Sequence, residues 1–138
     1  MKIKSILSVA AVLALCFALL GCSKGIKKDD AKAMAESFLT AVESGDFEAA
    51  KTYLHPEKPL DIEKYFSGIE SREQIDFQNG IEITRYKEHS FSIYESEVDG
   101  SECELEINVI VDGVGLEFNI DIVKNDLGFG IYEFDFDK

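Results

Sequence analysis

Three thiols (Cys16, Cys22 and Cys103), two imidazoles (His55 and His89) and 27 carboxylates facing only 14 lysines and arginines are the groups here whose chemistry goes beyond packing. The histidines lie far apart, and neither an HExxH nor a CxxC spacing surrounds them, so a zinc centre is not expected. There is no GxSxG elbow to raise a serine nucleophile and no glycine-rich loop to cradle phosphate. Cys103 has no basic neighbour to stabilise a thiolate, and its flanks, Glu102 and Glu104, oppose one. A formal charge of −13 also excludes a surface built for nucleic acid.

The thiols differ in their surroundings. Lys2 and Lys4 precede a weakly polar to apolar run from Ile6 to Leu20, followed by Gly21 and Cys22. That is the order of a secretory signal, and the run is short of the roughly 20 apolar residues that a spanning helix needs. Leu19-Leu20-Gly21-Cys22 resembles the lipobox of bacterial lipoproteins. The resemblance implies a signal peptide over residues 1–21, cut between Gly21 and Cys22. It also implies a diacylglyceryl group on Cys22 and an extracytoplasmic, lipid-anchored location on the cell membrane or outer membrane.

Residues 22–28 then form the lipidated cysteine and its tether, and residues 29–138 form one domain. Loss of the signal removes two lysines and no acid, taking the formal charge from −13 to −15. Lys24, Lys27 and Lys28 place the basic cluster beside the anchor, where it faces anionic headgroups or simply solvates the linker. Cys16 departs with the signal and Cys22 carries the lipid, so Cys103 has no intramolecular partner and no disulfide framework is expected.

Within the domain, Ala31, Met34, Ala35, Phe38, Leu39 and Val42 recur at helical spacing, with Asp29 or Asp30 as the expected N-cap and Gly45 as the stop. Asp46 caps a short second helix carrying Phe47, Ala50 and Leu54. A third segment, Asp61 to about Ser71, aligns Ile62, Tyr65, Phe66 and Ile69 around Gly68.

After Asn79-Gly80 the period changes to two. In Glu102 to Val111, Cys103, Leu105, Ile107, Val109 and Val111 alternate with Glu102, Glu104, Glu106 and Asn108, and Asp112-Gly113 is a preferred type I′ hairpin dipeptide. That turn pairs Val111 with Val114, and hence Cys103 with Ile122. A three-residue loop, Asp126-Leu127-Gly128, would bring Tyr132, Phe134 and Phe136 opposite Ile122, Ile120 and Phe118. The first strand, about Ile81 to Glu95, keeps phase only through Arg85, Lys87 and His89, so a bulge or break is expected there.

These elements make an α+β domain: N-terminal helices packed on a four-stranded antiparallel meander. The segment from Ala35 to Leu54, AESFLTAVESGDFEAAKTYL, resembles the opening helices of the nuclear transport factor 2-like superfamily, with a cystatin-like helix-on-sheet fold as the alternative. The resemblance implies a cone-like domain whose pocket binds small molecules or, in relatives resembling ketosteroid isomerase, moves protons.

An enzyme of that kind needs an inward acid or base. The inward positions of the last three strands offer only Tyr132 and Cys103 as polar groups, and His89 would contribute by turning inward at the irregular strand. The expectation is therefore a non-catalytic binding or accessory lipoprotein of the cell envelope with no required cofactor, and a pocket using His89 and Tyr132 is the alternative.

The outer face carries a further candidate site. Glu104, Asp121 and Glu133 fall in one cross-strand row, Glu106, Asn119 and Asp135 in the next, and Asn108, Glu117 and Asp137 in a third. Carboxylates about 5 Å apart offer oxygen ligands to calcium or a dock for a cationic peptide or protein, as an alternative to plain solvation. The pattern does not specify an oligomeric state.

Overall fold

The computed structural model describes residues 25–137. Three helices, α1 (Lys28–Glu43), α2 (Phe47–Lys51) and α3 (Ile62–Glu73), precede a 3₁₀ turn over Phe77–Asn79. Four strands follow, β1 (Glu82–Glu95), β2 (Gly100–Val111), β3 (Val114–Asn125) and β4 (Gly128–Asp137), in one antiparallel sheet ordered β1-β2-β3-β4. The α+β plan with helices on one face of an open meander is as the hydrophobic periods predict. The expected signal, with Gly21 and the expected lipidation site Cys22, lies outside the described residues.

The periodic positions of α1 are all buried: Ala31, Met34, Ala35, Phe38, Leu39 and Val42. Its start differs from expectation. Lys27 occupies the N-cap without a side-chain bond, while Asp29 and Asp30 sit in the first turn, where carboxylates complement the helix dipole. Ile26 is buried ahead of the helix, so the folded body begins before Asp29. Gly45, at φ +69°, supplies the left-handed stop, and the Asp46 side chain caps α2 by accepting from the Ala49 amide. Asp61 caps α3 in the same way through Lys64.

Phe66 on α3 organises the core. Its ring centroid lies 5.0 Å from Phe77, 5.5 Å from Phe134, 6.0 Å from Phe38 and 6.1 Å from Phe118. Such tilted and edge-on pairs add about 0.5–1.5 kcal/mol each beyond burial. They also fill the space between helices and sheet.

The β2/β3 register is the one the hairpin dipeptide dictates, from Val111 opposite Val114 to Cys103 opposite Ile122. Asp112 (φ +50°) and Gly113 (φ +78°) take the positive angles of that turn. The Asp112 carboxylate then accepts from the Asp76 amide at 2.8 Å and from Asn79 Nδ2 at 3.0 Å, tying the hairpin to the end of the helical layer. Glu43 on α1 likewise accepts from the Ile81 amide just ahead of β1, and Glu70 on α3 accepts from the Phe77 amide within the helical layer.

Two expectations for the sheet need correction. The β3–β4 connection is a two-residue turn, Asp126-Leu127, with Asn125 opposite Gly128. The odd residue needed to align the aromatics is supplied by a bulge at Tyr132: Asp121 still faces Glu133 and Ile120 faces Phe134, but Ile122 faces Ile131. Tyr132 therefore leaves the inward row and Ile131 enters the core. The physical reason is the segment before α3, since the His55 amide donates to the Ile131 carbonyl, and the Ile131 amide to that of Tyr53, each at 2.8 Å. That added parallel bridge fixes Ile131 inward. β1 carries the expected irregularity as register shifts at three places.

Candidate functional site

The outer face of the sheet follows directly from the register. Glu104 pairs with Asp121 and Asp121 with Glu133; Glu106 pairs with Asn119 and Asn119 with Asp135; Asn108 pairs with Glu117 and Glu117 with Asp137. The candidate residues Glu104, Glu106, Glu117, Asp121, Glu133 and Asp135 thus share one surface. Asp121, at its centre, is half-buried. Burial first, then the charges of Glu104, Glu102 and Glu133, push its carboxyl up to about 6. Glu102 is raised for the same reasons, with burial ahead of Glu95 and Glu104.

Alternation in β2–β4 alone could not reveal the counterweight on β1. Once the bulges of that strand are placed, Lys87 pairs with Glu106, Arg85 with Asn108 and Ser90 with Glu104. Lys87 Nζ stands 3.8 Å from the Glu106 carboxylate, His89 Nε2 meets the same oxygen, and Ser90 Oγ donates to Glu104 at 3.2 Å. The bond from His89, with the Lys87 charge behind it, holds the Glu106 carboxyl below the usual glutamate range. The face therefore runs from a basic flank on β1 to a predominantly acidic field on β3 and β4, where Lys58 approaches Glu133 at 3.8 Å and Asn108 donates to Glu117 at 3.3 Å.

His89 corrects the pocket expectation. It is the extra residue between the Glu88–Leu105 and Ser90–Glu104 pairs, and the bulge turns it toward Glu106 on the outer face instead of inward. Tyr132 lies on the opposite edge of the sheet, with the Lys58 ammonium 4.8 Å above its ring and the His55 ring edge-on at 5.3 Å. It borders an open recess of 310 Å³ together with Leu54, Leu60, Ile131 and Phe134. The two residues of the proposed pocket are thus not brought together.

His55 carries a role that spacing did not suggest. It is wholly buried, its Nδ1 accepts from the Glu57 amide at 3.2 Å, and its Nε2 meets Asn125 Oδ1 at 3.0 Å. A neutral ring protonated on Nε2 satisfies both contacts, because Asn125 Oδ1 also accepts from the Leu127 and Gly128 amides. In the sequence, His55-Pro56 reads only as the end of the second helix.

Among the described residues, no group of three or more His, Cys, Asp or Glu side chains is placed to hold a metal ion. Among them, too, no helix is long and apolar enough to cross a membrane. Comparisons with protein families, with curated proteins and with solved structures gave no match.

Proposed function

We propose that this chain is a lipid-tethered accessory protein of the cell envelope, anchored through Cys22 to the cell membrane or outer membrane, and that its domain binds a partner without catalysing a reaction. The observation that carries the proposal is the packing of aromatic rings on the helix-facing side of the sheet. Phe38, Phe66, Phe77, Phe118 and Phe134 fill the volume where a cone-shaped fold would hold a substrate. General acid–base chemistry needs a titratable group within reach of a substrate. The inward row offers a buried Cys103 thiol, pushed up to about 12 by burial and then by Glu88 and Asp121. His89 and Tyr132 stand on different sides of the domain, which weighs against a pocket of the ketosteroid-isomerase type.

The working surface in this proposal is the acidic outer face, and its partner is a cationic protein segment. Extended lysine or arginine side chains would do across β3 and β4 what Lys87 and His89 already do for Glu106 on β2. Calcium is the weaker alternative, because the carboxylates are spread along strands and do not converge on one point. Titrating the protein with a lysine-rich peptide, and separately with calcium chloride at matched ionic strength, tests the choice. Saturable peptide binding that Asp121→Asn with Glu133→Gln abolishes supports it. A calcium-specific rise in melting temperature lost in the same variant would replace the peptide with the metal. Turnover-dependent inactivation by Cys103 or His89 reagents would contradict a non-catalytic role.

A further inference from the structure

The first described residues fix where the chain leaves the domain. The Ile26 side chain is buried, and the Gly25 carbonyl lies 3.4 Å from Nζ of Lys124, which immediately precedes the last residue of β3. From there α1 runs antiparallel to β1. Lys28 pairs with Glu88 at 2.8 Å, Glu36 accepts from the Tyr86 hydroxyl at 2.8 Å, and Glu43 accepts from the Ile81 amide at 2.7 Å. The helix thus starts beside the middle of β1 and runs away from the end of the sheet that carries the β1–β2 and β3–β4 turns, while the residues before it reach back to Lys124 near that end. Gly25 is held at the two-turn end.

Four of the large apolar side chains that remain open to solvent gather at that same end. Ile93 is 73% exposed, Leu127 65%, Tyr94 60% and Phe91 37%. Their common location is a consequence of register, since Ser92 to Glu95 ends β1 beside Glu102 and Gly100, Gly100 pairs with Asn125, and Leu127 lies in the turn beyond it. Solvent exposure of such side chains is unfavourable, and a clustered set at one pole marks a contact surface.

The contact is identified by chain length. By sequence, three peptide units join Cys22 to Gly25, and a fully extended chain spans at most about 11 Å over them. We infer that the two-turn end is seated on the bilayer surface, with Ile93, Tyr94 and Leu127 in the headgroup region and the strands standing out from the membrane. The inference rests on lipidation at Cys22. Tyr94 suits such a site, having an apolar ring and a hydroxyl already donating to Asp99 at 2.9 Å. Glu95, Glu97, Asp99 and Asp126 belong to this end and Lys28 is already paired with Glu88, so the seat is shallow and apolar and not a polybasic clamp. The outer face then stands clear of the lipid along its length, with the Asp112-Gly113 turn at the far pole.

The chain has no tryptophan, so single substitutions give clean reporters. Leu127→Trp and Ile93→Trp would be prepared in the full, acylated protein, with Ile110→Trp, 38% exposed near the far turn, as the control. Each is inserted into phosphatidylcholine vesicles containing lipid with a nitroxide near the glycerol end of one acyl chain. The expected result is quenching at positions 127 and 93 at least about twofold stronger than at 110, with a blue-shifted emission. Equal quenching at all three positions, or none at 127 and 93 in protein whose mass confirms the acyl chains, overturns the orientation and leaves the anchor intact. A reporter shielded equally without lipid, in protein of doubled molar mass, assigns the patch to a second copy and also overturns it. Envelope-purified protein lacking acyl chains removes the anchor, and the orientation with it.

Discussion

His55 and Asn125, far apart in the chain, meet at 3.0 Å, and through that contact the segment before α3 is locked to the tip of the sheet. Asn125 has four further partners: Oδ1 also accepts from the Leu127 and Gly128 amides, while Nδ2 donates to the Val98 carbonyl at 2.9 Å and to Glu57 at 3.0 Å. Both hairpin turns at this end are therefore joined by one side chain. The approach is close enough that a Cβ on Gly130 would lie 2.6 Å from the His55 nitrogen, and one on Gly128 would lie 2.8 Å from Pro56. Asn125→Ala should cost about 2–4 kcal/mol by stranding several partners, and Gly130→Ala about 1–3 kcal/mol by overpacking. Urea unfolding measures both, with Asn119→Ala on the solvated face as a near-neutral control. A neutral Asn125→Ala would mean that the two turns are not held through this residue.

Cys103 should be chemically silent in the native protein. It is fully buried opposite Ile122, and burial pushes its thiol up to about 12, so the reactive thiolate is scarce near neutrality. A maleimide or disulfide reagent should label it slowly in buffer and quickly in denaturant. Fast native labelling would place Cys103 on the outer face and shift every pair of the β2–β3 hairpin by one residue.

Protonation of the acidic face should stabilise the domain. Asp121 is raised from its ordinary value near 3.8 to about 6, so the folded state binds this proton more tightly than the unfolded chain. Its contribution to stability is present below the unfolded value and is lost as pH rises through about 6. Because the carboxylate is half in solvent, screening limits this contribution to about 1 kcal/mol. Asp121→Asn should accordingly raise stability at pH 7 by about 1 kcal/mol and flatten the profile between pH 4 and 6. Sodium chloride should narrow the difference between variant and parent by screening. Melts across pH with and without salt decide, and a variant less stable than the parent at pH 7 would mean that Asp121 is paired with a cation.

The strand rows were legible because a two-residue period and one decisive turn dipeptide, Asp112-Gly113, fix register without tertiary information. The helices were legible for the same reason, through Met34, Phe38 and Phe66 at helical spacing. Tyr132 and His89 were not, since a bulge inverts the side-chain direction without altering composition. In both cases its place is set by a partner elsewhere in the chain: the Tyr53–His55 segment at Ile131, and Glu106 at His89. The buried His55 was missed because a polar side chain reads as buried only when its partners are known, and Asn125 lies at the end of a distant strand. Arg85 and Lys87 were visible as charges, but their pairing with the β2 face depended on the same unplaced bulges.

In the proposed arrangement a lipid on Cys22 holds the domain to a membrane. The most direct measurement is the intact mass of the protein extracted from its own envelope, compared with Cys22→Ala and Cys103→Ala variants expressed in the same way. A chain beginning at Cys22 and heavier by its acyl groups is predicted for the parent and for Cys103→Ala, with an unlipidated full-length precursor for Cys22→Ala. A parent of unmodified mass, or a Cys22→Ala variant that is still processed and acylated, would contradict it.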